Sequence, residues 1–186
     1  MINSQTRDGL ETLCRLMAQR PFLVLTGAGI STSSGIPDYR DKEGVRRGKA
    51  PMMYQDFINA PTARQRYWAR AMLGWPRIRQ ARPNAAHEAL AQLQAQQLIN
   101  GVITQNVDTL HDQAGSRDVI ELHGSLHRVV CLDCGQRTDR DTIQALLEAQ
   151  NPYLSGVDAV QAEHQNQGLN TGFWGQSIHA GAYNIT

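Results

Sequence analysis

Between Asp8 and Arg20 the apolar residues Leu10, Leu13, Leu16 and Met17 recur at helical spacing, and Pro21 ends the pattern, which predicts a helix running straight into the next element. That element is Phe22 to Leu25, four apolar residues in a row, as in a short strand buried on both faces of a parallel sheet. Asp56 to Arg79 mixes aromatics, arginines and two prolines; it predicts short helices, clearest over TARQRYWARAML, with Pro76 as a break. Asn84 suits an N-cap for AAHEALAQLQAQQL, a run of strong helix formers that Asn100 and Gly101 would close. VITQN and VIEL are short β-branched runs, and DTIQALLEAQ reads as a last helix. The order helix, strand, helix, strand, turn, strand predicts an α/β fold with a parallel sheet. From about Gln161 the chain turns to Gly, Asn and Gln with single, aperiodic apolar residues, a stretch expected to carry no element.

Length and charge narrow the function classes. A chain of 186 residues can build one ample core, or one domain and a small satellite. Eighteen Lys and Arg against 17 Asp and Glu leave a net charge of +1, so no bulk field draws the protein to nucleic acid or to an anionic membrane. No apolar run is long enough to span a bilayer, and polar residues follow Met1, so a soluble, cytoplasmic protein is expected. Three unevenly spaced cysteines do not make a disulfide framework.

Four stretches carry chemistry. TGAGISTSSGIPDYR directly follows the first strand, where glycines let backbone N–H groups approach a pyrophosphate. Gly27 and Gly29 fit a dinucleotide fingerprint, but Gly35 comes six residues after Gly29 instead of three, which disfavours an ordinary hydride-transferring Rossmann enzyme. No Gly-Lys-Ser/Thr follows, so a mononucleotide P-loop is weaker still. TQNVDTLH packs Gln105, Asn106, Asp108 and His111 into one turn at a strand's carboxyl end, the edge where open α/β sheets bind ligands; helix capping by Asn106 or Asp108 explains one of these polar residues but hardly four. IELHG puts His123 at the end of the next strand, where an imidazole can serve as a general base. His87, His127, His164 and His179 read as ordinary core or surface histidines. CLDCG offers Cys131 and Cys134 at the spacing of half a zinc site, yet no second pair follows and Cys14 lies far upstream.

GAGISTSSGIPDYR, TQNVDTLH, ELHG and CLDCG, in this order between Pro21 and Gly135, resemble the sirtuins, the NAD-dependent protein deacylases; RQRYWARAMLGWP and RVVCLDCG look most like their class II branch. The resemblance implies a Rossmann-type parallel sheet of the sirtuin NAD-binding fold over residues 1–126, and the first half of a small zinc-binding module over 127–160. It implies that Gly27, Ala28, Gly29 and Arg40 hold the NAD phosphates and that Ile36, Pro37, Asp38 and Tyr39 belong to a cofactor loop. Gln105, Asn106 and Asp108 match positions that contact the ribose and the nicotinamide carboxamide, and His123 matches the general base. The implied reaction moves an acyl group from lysine of a protein or peptide to ADP-ribose with release of nicotinamide, His123 taking a proton from the ribose hydroxyls. The loop DKEGVRRGKAPMMYQDF lacks the Tyr and Arg pair of family members that prefer acidic acyl groups, so acetyl or a longer neutral acyl group is implied. Protein ADP-ribosyl transfer is a lesser alternative.

The chain departs from the family after about residue 161. The second Cys pair and the segments that bind the adenosine half of NAD have no counterpart in it, so Cys131 and Cys134 stand as two of four zinc ligands and the fold is expected to be incomplete. The tail, 161–186, reads as a frameshift product, a novel tail on a truncated chain or part of a fragmentary gene. Two functional readings follow: a deacylase with impaired turnover, or a non-catalytic remnant that binds a partner through an exposed sheet edge.

Overall fold

The computed structural model describes residues 3–40, 43–45, 52–152 and 183–185. They fall into two units, one built from Met1–Asp38 and Arg82–His123, the other from Tyr39–Ala81 and Gly124–Thr186. The expected division at 126/127 lies three residues beyond the end of the first unit, and the segment 39–81, expected within the large domain, groups with the residues from Gly124 on.

In the first unit α1 (Ser4–Met17) starts at Asn3, whose side chain accepts the Thr6 N–H at 2.8 Å. The strands β1 (Phe22–Thr26), β2 (Ile99–Thr104) and β3 (Ile120–Glu121) form a parallel sheet in the order β1-β2-β3. Leu25 pairs with Ile103 and Thr26 with Thr104, while Ile103 pairs with Ile120. A parallel sheet was therefore the right reading, but the strand at Phe22–Leu25 is not buried on both faces. Leu23 and Leu25 are each 63% exposed, and Ile120 and Leu122 each 53%, so the described residues leave apolar side chains of both outer strands open to solvent. Leu10, Leu13 and Leu16 of α1 are likewise exposed.

The helix α4 (Ala85–Ala95) has Asn84 as its N-cap, as expected, with the Asn84 side chain accepting the Ala86 N–H at 3.0 Å. Its end differs from expectation. Asn100 and Gly101 lie inside β2, and the helix is closed instead by Gln97, which adopts a left-handed φ of 61° while the next N–H, from Leu98, reaches the Leu93 carbonyl at 2.9 Å.

The second unit holds α2 (Tyr54–Asn59), α3 (Pro61–Gln80), the strands β4 (Arg128–Cys131), β5 (Arg137–Asp139) and β6 (Tyr183–Ile185), and α6 (Arg140–Gln150). Its sheet is antiparallel in the order β5-β4-β6. The tail thus contributes one strand where none was expected, and the rest of it lies outside the described residues. Phe57, Trp68 and Met72 pack with Val129, Ile143 and Leu147 in the core.

Pro76 does not break α3, contrary to expectation. Proline lacks the N–H that would bond the carbonyl four residues back, that of Met72, and a buried carbonyl left alone would cost about 1–3 kcal/mol. Gln144 of α6 supplies the missing donor, its Nε2 reaching Met72 O at 3.0 Å. One turn away, Arg140 donates from Nη2 to the Ala71 carbonyl at 3.0 Å and sits against the rings of Trp68 and Trp75, 5.5 and 4.9 Å from their centroids. Burial lowers the pKa of that guanidinium to about 10 and raises the Tyr67 phenol to about 12. Among the described residues no helix is long and apolar enough to cross a membrane.

Candidate functional site

The carboxyl ends of the first unit's strands are tied together where the sequence concentrates its polar residues. Gln105 N–H bonds the Thr26 carbonyl at 3.0 Å, and Leu122 N–H bonds the Thr104 carbonyl at 2.9 Å. This register fixes Gly27, Gln105 and His123 as the first residues beyond, or close to, three neighbouring strand ends.

After β1 the chain folds into a 3-10 helical segment, Ala28–Ser34, with Gly27 extended at its start. Gly35 ends it in the left-handed region at φ 86°, a conformation that glycine adopts without strain. The glycine that breaks the dinucleotide fingerprint is therefore a helix stop. Asn84 staples the segment down, donating from Nδ2 to the Ile30 carbonyl at 2.8 Å and to Ser34 Oγ at 2.9 Å.

The turn after β2 is held by side chains. Asn106 is buried; its N–H donates to Thr104 Oγ1 at 3.0 Å, and its Nδ2 donates to the Gly27 carbonyl at 3.2 Å and to Ser31 Oγ at 3.0 Å. Ser31 Oγ donates in turn to Asp108 Oδ2 at 2.7 Å, and Asp108 Oδ1 accepts the Leu110 N–H at 3.0 Å. Asp108, one residue before the N-cap Thr109, thus ties the first N–H of the one-turn helix α5 (Leu110–Gln113) to the glycine segment. Between them Thr109 sits at φ 59°, a left-handed conformation that strains a β-branched residue.

His123 is exposed, and its Nδ1 lies 2.9 Å from the Gln105 carbonyl oxygen. A carbonyl can only accept, so Nδ1 carries the proton and Nε2 keeps its lone pair. Gln105 is exposed beside it. Beneath the turn, His111 and His87 are buried with ring centroids 4.9 Å apart. Burial pushes the pKa of both down; His87 adds to the lowering at His111, and the Asp108 carboxylate opposes it at both.

Gly27, Gln105, Asn106, Asp108 and His123 are thus brought together in the first unit, while Ala28 and the exposed Gly29 lie in the glycine segment. Ile36, Pro37 and Asp38 close that stretch of the unit. Tyr39 and Arg40 belong to the second unit, where Tyr39 is exposed and Arg40 donates to the Gly44 carbonyl at 2.7 Å. Cys131 and Cys134 are also in the second unit, one buried and one exposed. The backbone N–H groups of Cys134 and Asp133 lower the Cys131 thiol pKa. Among the described residues no group of three or more His, Cys, Asp or Glu could hold a metal ion. Two thiols are half of the four donors a structural zinc takes, so the residues described do not make a zinc site. Ser31, the link between Asn106 and Asp108, was not singled out from the sequence.

The family model described as "Sir2 family" matches residues 27–167. The chain belongs to the Sir2 family. An NAD-dependent protein deacetylase 3 of Pseudomonas syringae pv. tomato is 68% identical over 162 residues, covering 87% of this chain and 58% of that protein. An NAD-dependent protein deacetylase 1 of Streptomyces coelicolor is 56% identical over 137 residues, or 74% of this chain and 46% of that one. Among solved structures, a histidine variant of Sir2 with p53 peptide and NAD superposes with a TM-score of 0.65 at 37% identity, over 75% of this chain and 55% of that one. A Sir2 complex with p53 peptide and NAD+ gives a TM-score of 0.62 at 37% identity, over 75% and 56% of the two chains. The chain spans about half the length of the Sir2 relatives it matches, and within that span its parallel sheet and helices are those of the sirtuin Rossmann-like fold.

Proposed function

We propose that the first unit supplies the nicotinamide-ribose side of an NAD-dependent protein-lysine deacylase site, acting on acetyl-lysine in a protein or peptide. The observation that carries this reading is His123, exposed at the end of β3 with its Nδ1 proton fixed on the Gln105 carbonyl and its Nε2 free to accept a proton. The relatives named as NAD-dependent deacetylases and the solved complexes with NAD and p53 peptide support the choice of cofactor and substrate. When bound, NAD supplies a ribose carbon with nicotinamide as leaving group and the ADP-ribose that accepts the acyl group.

The chain's own groups divide the remaining work. Asn106 and Asp108, locked by Ser31, present amide and carboxylate groups in fixed directions, which suits them to hold a carboxamide in one orientation. Gly27, Ala28 and Gly29 keep side-chain bulk small beside the sheet end, where phosphates would lie; Arg40 is read as a further phosphate ligand, and Ile36, Pro37, Asp38 and Tyr39 as the cofactor loop. His123 takes the ribose hydroxyl proton at Nε2. Cys131 and Cys134 are read as zinc ligands by lineage, and no step depends on them.

Weak turnover is expected from the residues described, because apolar side chains on both outer strands of the sheet stand open among them. The test compares nicotinamide release from NAD with an acetyl-lysine peptide in this chain and in a chimera whose remaining length comes from the Pseudomonas syringae relative. The expected result is weak release in the first, robust release in the second, and its loss on His123→Ala without loss of folding. An inactive folded chimera, or one indifferent to His123→Ala, would overturn the reading.

A further inference from the structure

The proposed reaction leaves two buried imidazoles unused. His87 and His111 are 0% and 1% exposed, their centroids are 4.9 Å apart and their planes are tilted by 59°. One nitrogen of each, Nε2 of His87 and Nδ1 of His111, is buried without a hydrogen-bond partner. Two orphaned buried nitrogens on facing rings call for a cause, since each costs about 1–3 kcal/mol if it stays unpaired.

Their neighbours decide what each nitrogen carries. His87 Nδ1 stands 3.3 Å from the Asn84 N–H, a donor, so Nδ1 is the acceptor and a neutral ring bears its proton on Nε2. At the other ring, Thr26 donates its single hydroxyl proton to Thr104 Oγ1 at 2.8 Å, and His111 Nε2 lies 2.9 Å from the Thr26 oxygen. Thr26 can then only accept, so His111 bears its proton on Nε2 and has a lone pair on Nδ1. The two orphans are complementary, one an N–H donor and the other an acceptor.

We propose that His87 and His111 are a neutral pair of positioning residues, both in the Nε2–H form, joined by an Nε2–H···Nδ1 hydrogen bond that completes one run from Asn84 to the Asn106–Asp108 turn. The run passes from Asn84 N–H through His87, His111, Thr26 and Thr104, whose hydroxyl oxygen also receives the Asn106 N–H at 3.0 Å. The long 3.3 Å contact at Asn84 is the slack that a small rotation of the His87 ring would use to close the gap. The charged group acting on both rings is Asp108, from the turn after β2. Protonation of His111 Nδ1 would set two N–H donors against each other, so the run holds the turn only while both rings are neutral. That Asn106 and Asp108 contact a cofactor rests on the function proposed above; the imidazole pair itself does not.

The test is nitrogen NMR of the whole chain labelled with 15N-histidine, read beside amide exchange at Asn106. Both buried rings should appear as Nε2–H tautomers and should lose that form together as pH falls. His111→Phe should speed exchange of the Asn106 amide about tenfold, and His111→Gln, whose amide can donate to Thr26 and accept from His87, should restore most of the protection. An Nδ1–H tautomer in either ring, or independent titration of the two, overturns the proposal even if the variants fail to fold. Equal exchange in the wild-type and His111→Phe chains overturns the positioning role. None of these readouts involves nicotinamide release, so expected tautomers with an inactive chimera would sink the function proposed above and leave the pair standing.

Discussion

Ser31→Ala removes one oxygen from the centre of the site. Ser31 Oγ is 1% exposed as a residue, donates to Asp108 Oδ2 at 2.7 Å and accepts from Asn106 Nδ2 at 3.0 Å. A hydrogen bond to a carboxylate contributes about 2 kcal/mol and a neutral one about 1 kcal/mol. Both are lost together, and no described side chain is in place to replace the donor, so the variant should lose about 3 kcal/mol. That is a large part of the roughly 5–15 kcal/mol that holds a domain folded. For a chain of this size each kcal/mol moves the melting point about 2–4 °C, which predicts a fall of about 6–12 °C. Urea and thermal unfolding followed by circular dichroism measure both quantities. Adding Asn106→Ala to each background closes a double-mutant cycle, where a coupling near 1 kcal/mol is expected between residues that share a bond. A loss under about 0.5 kcal/mol in Ser31→Ala, or additive behaviour in the cycle, would refute the view that one hydroxyl orders this turn.

Further outcomes follow from the same structure. Gln144→Leu should cost about 1–3 kcal/mol in urea unfolding, because it strips the Met72 carbonyl of the donor that Pro76 cannot provide. Acidification should destabilise the first unit: burial lowers the folded-state pKa of His87 and His111 below 6.5, so the unfolded chain binds more protons as pH falls. Their stabilising contribution is complete above about 6.5 and is lost toward the lowered folded values, with a slope of up to about 1.4 kcal/mol per pH unit for each ring; His87→Phe should reduce that slope in unfolding curves collected across pH 5 to 8. Zinc equilibration followed by desalting should leave well under one equivalent by elemental analysis. A full equivalent lost in Cys131→Ser would show that the other two ligands come from residues outside those described.

What could be read from the sequence was set by local chemistry. The end of β1, the capping role of Asn84 and the places of Gln105, Asn106, Asp108 and His123 all depend on neighbours within a few residues, and periodicity and turn chemistry record such neighbours. Ser31 is one of four hydroxyl residues in the run Ser31-Thr32-Ser33-Ser34. Spacing does not say which of them turns inward; the 3-10 geometry does, and its partners Asn106 and Asp108 are 75 and 77 positions away. Pro76 was misread for a similar reason, since the group that makes a proline tolerable there is Gln144, 72 positions distant from the carbonyl it serves. The end of α4 was misplaced because Gln97 takes the left-handed turn that a Gly or Asn was expected to take.

The interleaving of the two units has a consequence for how the chain is made. Thr26 and Thr104, neighbours across β1 and β2, are 78 positions apart, and the segment 39–81 between them belongs to the other unit. During synthesis from the N-terminus, the three described strands of the first unit are all present once residue 121 has emerged. The second cannot cover Phe57, Trp68 and Met72 until Val129, Ile143 and Leu147 arrive. The aromatic helix made early must therefore wait, uncovered, while the later-made sheet beside it closes, and this interval is when a nascent chain most needs a chaperone.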